Sequence, residues 1–177
     1  MRLTALLLGL VTIVSSVAVA DSPVKWAPYA AQLQLVSFDS ATSSAVFRGK
    51  LALRGRLFFD FDHDADGRAV DVLFARLVPD KQTRKRLPAI VSGPFAAPIN
   101  FVHLGPPERL LSMALGQAEA DRLSHGDGKS VSVDADVVIS EFRVAVECDS
   151  RIYAAIPVSV TRAKGPVIVA QNKLHGC

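Results

Sequence analysis

The residues whose types and spacing are best suited to chemistry form an acidic stretch over residues 60–67. From Asp62 onward the stretch has the pattern D-x-D-x-D-G, which is the first half of an EF-hand-type calcium loop. In such a loop, positions one, three and five point oxygen atoms at the ion, glycine permits the turn at position six, and position seven adds a backbone carbonyl. The predicted ligands are therefore Asp62, Asp64, Asp66 and the backbone carbonyl of Arg68.

The second half of the stretch departs from the EF-hand pattern. Position twelve, where the pattern has a bidentate glutamate, is Leu73, and the flanking segments alternate like strands. A calcium loop within a β-hairpin would complete its shell with Asp60, Asp71 or a distant segment. His63 lies at an alternate position and could recruit zinc or another transition metal instead. The alternative interpretation is a solvated turn, because aspartate and glycine are favoured in turns.

The chain has two cysteines, Cys148 and Cys177. Because we predict export into an oxidising compartment, we expect a disulfide between them. In the chain-entropy model, closing a loop of about 30 residues is worth roughly 3–4 kcal/mol. Neither cysteine belongs to a C-x-x-C pair or adjoins a predicted helix start, which argues against a reactive thiol.

The first twenty residues have the organisation of a signal peptide. Arg2 supplies the positive charge, residues 3–14 are almost continuously apolar, and residues 18–20 form a small-x-small cleavage site. The apolar run is shorter than the ~20 residues of a membrane-spanning helix. We therefore predict a signal peptide over 1–20 and a single β-rich domain over 21–177, which is periplasmic or extracellular and has no membrane span after cleavage.

Charge and motifs exclude several functions. The chain carries 20 Lys and Arg residues against 17 Asp and Glu, and a nucleic-acid partner is not indicated because phosphate binding requires a clustered basic face. There is no P-loop, G-x-G-x-x-G, G-x-S-x-G or H-E-x-x-H motif, so enzymatic activity is uncertain and disfavoured. One short basic group is interpreted as a solvated surface; it comprises Lys81, Arg84, Lys85 and Arg86.

The elements that must position these residues are mainly strands. Alternation of apolar and polar residues predicts three antiparallel strands near the C-terminus, over 130–139, 141–148 and 152–161. Further strands are predicted over 32–38, 44–61 with a bend near Gly49 or Gly55, and 68–78, where Val70, Val72 and Phe74 share the apolar face. Shorter candidates cover 97–104 and 166–170.

One amphipathic helix is predicted over about 107–124. Pro106, Pro107 and Glu108 favour a helix start, and Gly126 favours a stop. A shorter helix is predicted over 79–87. The fold class is therefore α+β, mainly antiparallel β, as a sandwich or partly open barrel with the longer helix across one face or end.

The preferred function is a non-catalytic binding or interaction module whose partner is an unknown protein or envelope component, contacted through exposed strand edges. One alternative is an envelope domain that binds calcium, the only cofactor indicated, through the 62–66 loop. A second alternative is an envelope enzyme whose site is assembled from distant residues.

Overall fold

The computed structural model describes residues 24–63, 69–92, 96–124, 130–147, 150–163 and 167–169. The predicted signal peptide lies outside the described residues. The same holds for Asp64, Asp66 and Arg68 of the predicted calcium loop, and for both cysteines, Cys148 and Cys177.

Strands dominate the described part of the chain, which also contains three helical segments. The strands are β1 (Gln34–Asp39), β2 (Ser44–His63), β3 (Ala69–Pro79), β4 (Val102–Leu104), β5 (Ser130–Glu147), β6 (Ser150–Ala163) and β7 (Val167–Val169). The helices are α1 (Lys81–Arg84), α2 (Pro107–Leu115) and α3 (Gln117–Ser124). This content agrees with the predicted α+β class.

The strands form one mixed sheet with the order β1-β2-β3-β4-β6-β5-β7, in which β2 also pairs with β5. Every ladder is antiparallel except that between β4 and β6, which is parallel. The sheet is therefore mainly antiparallel, as predicted. Both α2 and α3 pack against β3, and α2 also packs against β6.

The two predicted strands over 130–139 and 141–148 are one long strand, β5. Its apolar positions change parity between Ile139 and Phe142, yet both side chains are buried. The register with β6 shifts at this point, from Pro157 opposite Ile139 to Ile156 opposite Glu141, and the register with β2 shifts at the same residues of β5. A β-bulge, which inserts one unpaired residue, keeps both apolar runs facing the core. The change of parity, from which two separate strands were predicted, therefore marks a bulge within one strand.

The bend predicted in β2 near Gly49 coincides with the same shift of register. Gly49 has a φ of 144°, and a Cβ there would lie 1.7 Å from the backbone oxygen of Gln32. Only glycine fits this conformation and this close approach.

A second bulge lies in β3. Phe74 pairs with Asp60 and Val72 pairs with Phe61, so the register skips Leu73. Val72 and Ala75 are buried, whereas Phe74 is 40% exposed. The predicted inward orientation of Phe74 is therefore wrong, because the extra residue turns the side chain that follows it to the opposite face.

The predicted helix over 107–124 is two helices separated by Gly116, whose φ of 82° is incompatible with a continuous helix. Leu110, Leu111 and Ala120 bury the apolar sides of α2 and α3. The predicted 79–87 helix is reduced to α1, where the Asp80 carboxylate accepts a hydrogen bond from the backbone N–H of Thr83 at 2.7 Å. None of the helices in the described ranges has the length and apolarity needed to cross a membrane.

An aromatic cluster occupies one part of the core. The ring of Phe47 lies 5.1 Å from that of Trp26, 5.2 Å from that of Tyr29 and 6.5 Å from that of Phe142. Trp26 lies in the segment before β1, and its backbone forms an isolated β-bridge with that of Ile90. These rings are packing residues.

Candidate binding face

The predicted metal ligands are brought together only in part. The backbone of Asp62 lies in β2, paired with that of Asp71, while Asp64, Asp66 and Arg68 lie outside the described residues. Within the ranges the structure describes, no group of three or more His, Cys, Asp and Glu side chains could hold a metal ion. The calcium loop and the Cys148–Cys177 disulfide stay predictions.

Asp60, considered above as an additional calcium ligand, has different partners. Its side chain is 5% exposed, and one oxygen accepts a hydrogen bond from Nη2 of Arg76 at 2.7 Å. The other oxygen accepts one from the hydroxyl of Ser130, also at 2.7 Å. The carboxylate is therefore a buried charge that is both paired and hydrogen-bonded, as burial requires.

Arg76 lies on the outer surface of the sheet, together with three rings. It pairs in register with His103 of β4. Phe74 lies two residues before Arg76 in β3, so the two side chains share a face. Phe101 directly precedes β4, and its ring contacts that of His103. We call the surface formed by Phe74, Arg76, Phe101 and His103 the aromatic face.

The rings of the aromatic face contact one another edge to face. The His103 ring lies 5.0 Å from that of Phe101 and 6.4 Å from that of Phe74. The guanidinium carbon of Arg76 lies 5.7 Å from the centre of the Phe101 ring, within the range of a cation–π interaction. His103 and Arg76 therefore lie beside the two phenylalanine rings. Phe74 remains 40% exposed and Phe101 38% exposed.

Asp60 fixes the position of the Arg76 guanidinium. Within the described residues it is the only hydrogen-bond partner of the Arg76 side chain, and Nε is buried without one. A guanidinium carries five N–H donors, and the Arg76 side chain is 21% exposed. Some of its donors can therefore reach a ligand that lies on the aromatic face.

His103 is half-buried, and burial lowers the pKa of its imidazole. The positive charge of Arg76 lowers this pKa further, whereas the carboxylate of Glu147 opposes the shift. The imidazole is consequently neutral at pH 7 and has one N–H donor and one acceptor nitrogen. Because Asp60 neutralises Arg76, the aromatic face and its supporting carboxylate carry no net charge.

Ser130 donates its hydroxyl hydrogen to Asp60, and that carboxylate is in turn held by Arg76. Asp60 therefore links the start of β5 with the guanidinium on β3.

A cavity of about 390 Å³ lies elsewhere, between β2, β5 and the start of α1. Four of its charged side chains form two ion pairs between β2 and β5, Arg54 with Asp136 at 2.8 Å and Arg56 with Asp134 at 3.7 Å. The fifth, Asp80, accepts the hydrogen bond from Thr83 described above. The basic group over 81–86 does not line this cavity, and Arg84 donates a hydrogen bond to the backbone oxygen of Pro79.

None of Phe74, Arg76, Phe101 and His103 was among the site residues predicted from the sequence. One signal was available: Phe-Ala-Arg over 74–76 and Phe-Val-His over 101–103 repeat the pattern of an aromatic and a basic residue two positions apart. In strands, that spacing places both side chains on one face.

Comparison of the chain with models of protein families, with curated proteins and with solved structures finds no match.

Proposed function

We propose that this protein is a non-catalytic binding domain whose ligand lies on the aromatic face. The observation that carries the proposal is the exposure of Phe74 and Phe101 around a guanidinium held by a buried carboxylate. Grouped exposed apolar side chains mark interaction sites more often than isolated ones do. We retain export to the periplasm or beyond as the proposed location.

We also infer that the sheet closes into a five-stranded barrel. Support comes from the ladders: β2, β3, β4, β6 and β5 each pair with two others of this set, and β4 runs parallel to β6. With a helical segment between β4 and β5, this is the strand order of the OB-fold, whose second and third strands carry the ligand surface. Those strands correspond to β3 and β4. Since a fold does not determine a function, the aromatic face carries the proposal and the strand order only supports it.

The first test asks whether the exposed rings are needed for stability. Phe74→Thr and Phe101→Thr each remove a partly exposed ring and leave a residue that favours strands, so each should lower the free energy of unfolding by about 1 kcal/mol or less. The control is Phe47→Ala, which removes a fully buried ring and should cost about 3–5 kcal/mol. Urea unfolding of the mature chain measures all three. A cost above about 3 kcal/mol for either face variant would show that the rings belong to the core.

The second test asks whether ligands bind at this face. Backbone amide NMR shifts are recorded with three probes: cellopentaose, a thymidine pentanucleotide and a proline-rich decapeptide. At least one should shift amides of β3 and β4, and the double variant Phe74→Thr/Phe101→Thr should abolish those shifts. Val91→Thr, which changes an exposed apolar residue elsewhere, should leave them intact. Shifts confined to other surfaces, unchanged shifts in the double variant, or no shifts with any probe would overturn the proposal.

A further inference from the structure

Resting on the proposed function, we infer that the ligand of the aromatic face is an uncharged oligosaccharide. Four properties of the face lead to this class: its charge, its hydrogen-bonding groups, the order of its side chains, and the pairing of the strands beneath it.

The charge of the face disfavours nucleic acids and other polyanions. A protein binds such chains by neutralising several phosphates with clustered Lys and Arg residues. Here the single cation, Arg76, is already paired with the buried carboxylate of Asp60 at 2.7 Å. His103 adds no charge near pH 7, because burial and the charge of Arg76 favour its neutral form. A ligand without net charge therefore matches the face.

The hydrogen-bonding groups match hydroxyls. Arg76 supplies donors only, whereas neutral His103 supplies one donor and one acceptor. A hydroxyl both donates and accepts through one oxygen atom, so each hydroxyl can bond to either side chain. Sugars carry hydroxyls around a ring whose faces present C–H groups.

The order of side chains fits a chain of such rings. A ligand that contacts both Phe101 and Phe74 must pass over His103. The His103 ring lies 5.0 Å from the Phe101 ring and 6.4 Å from the Phe74 ring. Apolar surface and polar groups therefore alternate along the face. Successive pyranose units offer the same alternation of C–H faces and hydroxyl edges.

The pairing of β4 disfavours an extended peptide at the centre of the face. β4 pairs with Arg76 and Leu77 of β3 on one side and with β6 on the other. An extended peptide therefore cannot add to the sheet at β4. Main-chain hydrogen bonds, which supply affinity in that mode of binding, are not open to a ligand that lies over His103.

Titrations of the mature protein with cellopentaose, maltopentaose and the uncharged pentamer of chitin test the inference. At least one should bind, and Phe101→Thr should weaken it about tenfold or more, the effect of losing a central aromatic contact. His103→Leu removes the acceptor and should weaken binding, whereas His103→Gln keeps a donor and an acceptor and should largely restore it. The affinity should change less than about twofold between roughly 50 and 500 mM NaCl, because no counterions are released.

The outcomes separate this inference from the proposed function. If the thymidine pentanucleotide or the proline-rich peptide binds the face and the sugars do not, the ligand class is wrong and the binding domain stands. A salt dependence as steep as that of phosphate-binding proteins would also contradict the ligand class. If no probe binds the face, or Phe101→Thr weakens none of them, both proposals fail.

Discussion

The ion pair between Asp60 and Arg76 offers the sharpest test of the geometry, because the two partners differ in burial. The Asp60 side chain is 5% exposed and that of Arg76 is 21% exposed. Arg76→Met leaves a buried carboxylate whose described partner is the Ser130 hydroxyl alone. Asp60→Asn leaves a guanidinium that can turn toward water. The arginine substitution should therefore cost more.

The magnitudes follow from the same contacts. Removing one partner of a buried ion pair costs about 3–5 kcal/mol, and this range should apply to Arg76→Met. Asp60→Asn loses one charge-assisted hydrogen bond and keeps an oxygen for Ser130, so we expect about 1.5–3 kcal/mol. The double variant should cost less than the sum of the two, with a coupling of about 2 kcal/mol.

The assay is urea unfolding of wild type, both single variants and the double variant, with equal m-values required for comparison. The matched control is the cycle of Arg54→Met and Asp136→Asn, whose charged groups lie at a similar distance of 2.8 Å. The Arg54 side chain is well exposed, and exposed ion pairs contribute little to stability. The coupling in the control cycle should therefore be much smaller.

Two results would refute this account of the site. If Asp60→Asn cost as much as Arg76→Met, the carboxylate would not be the more deeply buried partner. If the Asp60–Arg76 coupling were as small as that of the control pair, the guanidinium would not be held in place. Either result would remove the reason to expect a fixed donor on the aromatic face.

Three further predictions concern the backbone and His103. Gly49→Ala should cost more than about 3 kcal/mol, because its Cβ would overlap a carbonyl oxygen, whereas Gly116→Ala meets no atom and should cost about 1–2 kcal/mol of backbone strain in urea unfolding. Because the folded-state pKa of His103 is lowered below its unfolded value of about 6.5, the unfolded state binds its proton first. The free energy of unfolding should thus fall as pH drops from about 7.5 to 5.5, and His103→Gln should reduce that fall; an equal fall in the variant would contradict this. Deleting Leu73 should preserve a cooperative unfolding transition, whereas deleting Ala75 should abolish it by turning Arg76 toward the core; equal effects would show that the bulge is misplaced.

Strand β5 could be predicted because most of its outward-facing residues are polar. In β5, Val131, Val133 and Val137 are buried, while Asp134 between them is exposed. This produces the period-two pattern from which the strand was predicted. Hydrophobic burial on one face and solvent on the other is enough to specify such a strand locally.

The orientation of individual side chains could not be predicted past a bulge. Leu73 and Ser140 lie at the register shifts of β3 and β5, and neither is a glycine or proline that would mark the position. The shift becomes evident only when the partner strand is known, because it is a property of the ladder. Phe74 was assigned to the core for this reason. The break at Gly116 differs, since a glycine marked it within an otherwise continuous helical pattern.

The site combines residues that no local pattern connects. Asp60 lies in β2, Arg76 in β3 and Ser130 at the start of β5, and they meet because β2 pairs with both of the other strands. A lysine at position 76 could neutralise Asp60, but it would lack the planar fork that bonds the carboxylate and still presents donors elsewhere. The buried carboxylate, itself held by Ser130, fixes the guanidinium beside the exposed rings, so the proposed ligand would meet a donor that is already in position. The chemistry of the face thus depends on the pairing of β2 with β3 and β5, and a sequence pattern confined to one strand can indicate only half of it.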